Sequence, residues 1–210
     1  MGLKQEGNHI QEEYLELIKE RVYMNKVVIL DTRNQKDYFV EQSFKDLGYA
    51  VIRSKLPFGD VALPTNILNC VDLKSSGGGL IEVARNRCSK DHNRMKREIE
   101  SCLNCGGKIT FVCFEPNMKV VEDIANWEIP HFKSDLYKKV IFKNEDGEEE
   151  IKTICLHKKG QPMTKVSPIT LIKSIQTMTA QDHYKEGTKV DFVFATKENC
   201  ANKILEILGG

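Results

Sequence analysis

Apolar residues recur along this chain in two rhythms, a spacing near 3.6 and short runs or strict alternations, and their order sketches a layered fold. Ile10, Tyr14, Leu17, Ile18 and Val22 share one side of a helical wheel and predict an amphipathic helix over 9–23. Val27 to Asp31 is a short apolar run closed by an acid, the pattern of a buried strand. A helix over 34–47, stopped by Gly48, and a second strand from Tyr49 to Arg53 follow. Pro57-Phe58-Gly59-Asp60 breaks that strand. A short hairpin-like segment, turned at Pro64-Thr65-Asn66, then leads into the strand that carries Asp72 and Lys74.

Helical spacing returns at Met95, Ile99, Cys102 and Leu103, with Gly106-Gly107 as its cap. Ile109 to Glu115 is almost wholly apolar and predicts a buried, central strand. Two β-rich runs flank Asn144-Glu145-Asp146-Gly147, and Asp-Gly in that setting signals a hairpin. Its acidic tip marks 138–156 as an exposed insertion. A helix from about Pro168, a strand from Lys189 to Ala195 and a last helix from about Glu198 complete the chain. Strands alternating with helices indicate an α/β fold, one domain over 27–210 behind a helical extension over 1–26.

Composition narrows the function classes. The 40% hydrophobic fraction is enough for a real core, and a formal net charge of +1 leaves no polybasic tail, so any nucleic-acid site must be a local patch. No apolar run approaches the roughly 20 residues that span a bilayer. Met1 to Glu20 lacks the apolar stretch of a signal peptide, so an intracellular location with no membrane partner is expected. Seven cysteines, an odd number, argue against a disulfide framework. Cys102-x-x-Cys105 has the spacing of half a zinc site but no second pair, and Cys102 falls on the apolar face of its helix, so a buried structural thiol is the better reading.

The candidate chemistry lies between residues 59 and 74. Alternation along Val71-Asp72-Leu73-Lys74 sends Val71 and Leu73 to one face and Asp72 and Lys74 to the other. With Asp60 arriving from a neighbouring turn, two carboxylates and an ammonium can hold a divalent cation and a phosphate. Mg²⁺ or Mn²⁺ is the expected cofactor, with Asp60, Asp72 and the backbone carbonyl of Leu73 as ligands. Lys74 would orient or help deprotonate the attacking water, or stabilise charge on the phosphorus. Most isolated Asp-x-Lys triplets sit on solvated strand faces. The preceding Gly-Asp and the basic stretch just downstream lift this one above that background.

That stretch holds Arg85, Arg87, Lys90, Arg94, Lys96 and Arg97, in the path a phosphate backbone would follow, with Arg94 and Glu98 spaced to pair. Gly77-Gly78-Gly79 lacks a phosphate-loop pattern and reads as a hinge. Asp31 has two roles open to it, the cap of the next helix or a support of the acidic site, with Arg33 beside a phosphate. Glu115 is either a further acid of the site or a strand-end carboxylate. The histidines at 92, 131, 157 and 183 show no metal-ligand spacing.

In combination these residues resemble the XPF-type endonuclease domain of the PD-(D/E)XK nuclease superfamily. Val28-Ile29-Leu30-Asp31-Thr32-Arg33 is similar to its opening hydrophobic-D-x-R, and Leu56-Pro57-Phe58-Gly59-Asp60 to its L-x-x-G-D. Val71-Asp72-Leu73-Lys74 stands where that family has V-E-R-K, and Arg94 and Glu98 resemble its R-F-x-x-E/Q positions. The resemblance spans about 27–206. It implies a restriction-endonuclease-like core, a central mixed sheet flanked by helices, and metal-dependent cleavage of DNA at branched or flapped structures, often by a homodimer. Asp31, Asp60, Asp72 and Lys74 are the expected catalytic residues, and Arg33 and Arg94 from these motifs, with Arg85, Arg87 and Arg97 from the basic stretch, the expected DNA contacts; no small-molecule cofactor is expected. Asp72 stands in place of the usual glutamate and Leu73 in place of the usual arginine. The competing class is a non-catalytic DNA-binding or protein-interaction module built on the same fold.

Overall fold

The computed structural model describes residues 26–35, 37–75, 79–88, 91–129, 137–143, 149–155, 166–180 and 184–210. The helix read over 9–23, the glycines at 77 and 78 and the hairpin tip lie outside them. A six-stranded mixed sheet organises the rest, in the order β2-β1-β3-β4-β5-β8. Its members are β1 (Val27–Asp31), β2 (Ala50–Ser54), β3 (Val61–Leu63), β4 (Asn66–Lys74), β5 (Lys108–Phe114) and β8 (Lys189–Ala195). Pairing is parallel except at the short β3, which runs against both β1 and β4. β1, β2, β4, β5 and β8 therefore all point the same way, and their C-terminal ends share one rim.

Helices cover both faces. Val28, Leu30, Val71, Leu73, Val112 and Phe114 form one apolar layer with α1 (Tyr38–Asp46) and α5 (Cys200–Leu208). Cys70, Ile109, Phe111, Val190 and Phe192 form the other with α2 (Gly79–Cys88), α3 (Asp91–Asn104) and α4 (Pro168–Thr179). Adjacent residues of each strand go to opposite layers, as the pleat requires. β5, paired on both sides and buried from Ile109 onward, is the interior strand its apolar run predicts. β6 (Tyr137–Lys143) and β7 (Glu149–Cys155) pair antiparallel with Tyr137 opposite Cys155, so the hairpin forms as a separate two-stranded sheet. No helix among the described residues is long and apolar enough to cross a membrane.

Two local expectations need correction. α1 begins at Tyr38 rather than near residue 34, because the Asp31 carboxylate captures the Arg33 amide and Asn34 Nδ2 donates to Asp37, winding the chain into a turn first. Gly79 is no hinge. It opens α2 in close packing, where a Cβ would sit 2.5 Å from Cys113 Sγ and 2.6 Å from the Lys74 carbonyl oxygen. The cysteine pair separates as the helix predicts, with Cys102 buried and Cys105 exposed.

Candidate active site

The C-terminal rim of the sheet gathers most of the candidate residues around one cleft of about 760 Å³. Asp60, Asp72, Leu73 and Lys74 line its floor, and Arg33, Arg94, Arg97 and Glu98 its walls. Sequence alternation on β4 is what delivers Asp72 and Lys74 to it. Both are buried, and the Lys74 ammonium touches Asp72 Oδ1 as an ion pair without the alignment of a hydrogen bond. Lys74 Nζ also lies 5.3 Å from the centre of the Phe111 ring. Burial works against the Lys74 charge, but Asp72 above all, then Glu82 and Asp60, outweigh it and raise its pKa. Asp72 thus favours the ammonium form of Lys74 in the cleft.

Asp60 is fixed by backbone on two strands. Its N–H donates to the Val71 carbonyl at 2.7 Å, and its own carbonyl accepts from the Asp31 N–H at 2.8 Å. Its Oδ2 accepts from the Leu73 N–H at 2.8 Å. Within a strand the N–H and C=O of one residue point to the same side. The Leu73 carbonyl thus faces the Asp60 side of β4, as a third ligand would need to. Burial first, and then the charge of Asp72, push the Asp60 carboxyl up to about 8. A half-buried Asp60 carboxyl raised by its surroundings is a group that a divalent cation relieves, and two carboxylates with a carbonyl match the sparse protein share of a Mg²⁺ shell. Among the described residues no three His, Cys, Asp or Glu side chains converge to cage a metal, so Mg²⁺ or Mn²⁺ here would lean on water and substrate oxygens.

The turn ahead of Asp60 depends on Gly59. Its φ of +61° lies in the left-handed region, and a Cβ there would stand 2.7 Å from the Val71 carbonyl oxygen. The Gly59 N–H donates to Glu98 Oε1 at 3.1 Å, which ties the turn to α3.

Asp31 is a brace and not a ligand. It is fully buried and accepts four hydrogen bonds, from Arg33 N at 2.6 Å, Arg33 Nε at 2.8 Å, Arg33 Nη2 at 2.7 Å and Leu56 N at 2.8 Å. Burial alone would raise its carboxyl, but the Arg33 and Leu56 donors together hold it below the usual range. Nor does it cap α1, whose first turn follows Asp37. The Arg33 side chain it aims remains 56% exposed along the cleft wall. Glu115 is a strand-end carboxylate whose Oε1 accepts from the Leu80 N–H at the start of α2.

The basic set divides. Arg94 and Arg97 reach the cleft; Arg85 is exposed on α2 without lining it, and the Arg87 side chain lies outside the described residues. Asp37, Ser75 and Glu82 line the cleft unannounced by the sequence. Ser75 Oγ donates to Asp37 Oδ1 at 2.5 Å, and the Ser75 N–H to Glu82 Oε2 at 3.2 Å, a link that anchors the exit from β4. No local pattern marks Asp37 or Glu82, since each is defined by a partner on another element. No protein-family model matches the sequence, and no curated protein matches it.

Proposed function

We propose that this chain is a metal-dependent endonuclease of the PD-(D/E)XK type, hydrolysing DNA phosphodiester bonds at branched or flapped structures with Mg²⁺ or Mn²⁺. The observation that carries the reading is the Asp60–Asp72–Lys74 cluster, a mutually repelling acid pair with an adjacent ammonium, at the floor of a cleft walled by arginines. The mixed sheet, with Asp72 and Lys74 on β4 beside the antiparallel β3 and Asp60 at the entry to β3, is in keeping with such a core.

Asp60, Asp72 and the Leu73 carbonyl would hold the cation. When bound, it polarises the scissile phosphate and lowers the pKa of a coordinated water. Lys74, kept protonated, donates from Nζ to orient the attacking water and to offset the charge that builds on phosphorus. Arg33, aimed by Asp31, and Arg94 and Arg97 from α3 bind flanking phosphates. The Lys74–Asp72 contact favours one second reading, a non-catalytic DNA-binding module, because it already occupies an oxygen that a ligand role needs.

A labelled panel of flap, fork, four-way-junction, single-stranded and duplex DNA, with Mg²⁺ or Mn²⁺ and beside Asp60→Asn, separates the two. Cuts that vanish with EDTA and in the variant are expected. Binding without cutting under either metal would refute the nuclease reading in favour of the module.

A further inference from the structure

We propose that Glu98 is the positioning residue of this site, coupling the turn that delivers Asp60 to the phosphate-facing Arg94. The proposal rests on the nuclease reading above. The two carboxylate oxygens have separate partners. Oε1 accepts from the Gly59 N–H at 3.1 Å, and Oε2 stands 3.6 Å from Arg94 Nη1.

Asp60 is secured by β1 through its carbonyl and by β4 through its N–H and its carboxylate. Glu98 adds a tether from the helical layer, one residue earlier, at a backbone position already held against the Val71 carbonyl in a left-handed conformation. Glu98 is three-quarters buried on the wall, whereas Arg94 is 58% exposed and open to the cleft. A phosphate engaging Arg94 competes for the guanidinium with Oε2 alone and leaves Oε1 on Gly59. The division allows the Asp60 turn to be set before substrate arrives and to stay set while Arg94 exchanges partners.

Glu98→Gln and Glu98→Ala separate this role from direct metal ligation or simple charge. Glutamine keeps an Oε1 acceptor for Gly59 and loses the charge, while alanine loses both. Three readouts apply to the full chain: exchange protection of the Gly59 amide by NMR without metal or DNA, Mn²⁺ affinity, and kcat against KM on the best substrate of the panel. In Glu98→Ala we expect faster Gly59 exchange and about 10- to 100-fold losses in Mn²⁺ affinity and kcat, the range for a residue that orients a ligand, with KM little changed. In Glu98→Gln all three should stay within a few-fold of the parent. Unchanged Gly59 protection in Glu98→Ala, or a Glu98→Gln loss as deep as that of Glu98→Ala, would overturn the proposal. If the parent chain cuts nothing, the nuclease reading fails, and the exchange and Mn²⁺ measurements still decide whether Glu98 positions the turn.

Discussion

Divalent-cation binding should strengthen steeply with pH, because Asp60 must give up a proton to become a ligand. Burial and the neighbouring Asp72 push its carboxyl from 3.8 up to about 8. Each pH unit below that value makes the ionised form about tenfold rarer. Half the molecules carry an ionised Asp60 at about pH 8 and roughly one in a hundred at about pH 6, so apparent Mn²⁺ affinity should fall about 50-fold between them. Titration calorimetry at both pH values, in buffers of different ionisation enthalpy, gives the affinity and the protons released. About one proton per cation is expected near pH 6, and Asp60→Asn should abolish that release. The same shift sets the stability of the cation-free protein. A raised carboxyl contributes stability that is fully present below 3.8 and lost as pH climbs through about 8. Thermal stability without metal should decline over that window, and saturating Mn²⁺ should restore it. An affinity flat from pH 6 to 8, with no proton released, would refute the reasoning.

Lys74→Met should abolish cleavage and also cost about 3–5 kcal/mol in urea unfolding, since it strands the Asp72 carboxylate in the interior. The Asp72→Asn/Lys74→Met pair should recover part of that loss, and a single variant as stable as the parent would contradict the buried ion pair. Gly59→Ala adds a Cβ 2.7 Å from the Val71 carbonyl oxygen at a φ of +61°. The backbone strain alone is worth about 1–3 kcal/mol, so an unchanged melting temperature would contradict the tight turn. Arg97→Ala should weaken DNA binding and lower the salt-dependence slope by about one, while Arg85→Ala changes neither. Equal effects of the two would place the DNA path off the cleft.

The parts of the site that obey local periodicity were legible in the sequence. β4 alternates, so Asp72 and Lys74 share a face, and the apolar runs of β1, β5 and β8 mark strands of the sheet. Roles set by distant partners were not. Asp31 is a brace because Leu56, 25 residues on, donates to it, and the same carboxylate recaptures Arg33 and delays α1. The i,i+4 spacing of Arg94 and Glu98 shows a helical pair, yet the contact that gives Glu98 its interest spans 39 residues to Gly59. The three residues of β3 are too few to carry a period, and only their antiparallel pairing with β1 and β4 reveals them as a strand. That Lys74 is buried, ion-paired to Asp72 and set against the Phe111 ring of β5, is a matter of tertiary packing that no alternation along β4 could convey.

The two-faced character of β4 bears on how the chain assembles. A slip of one residue against its neighbours would turn Val71 and Leu73 toward α3 and drive Asp72 and Lys74 into the apolar layer under α1 and α5. The Leu73 amide would then miss the Asp60 carboxylate, which it meets only in the native register. The charged residues thus serve as index marks for threading, penalising every slip by an odd number of residues during folding. Recovery of function after refolding therefore counts the molecules whose strands have locked in step, a stricter measure than regained helix and sheet content.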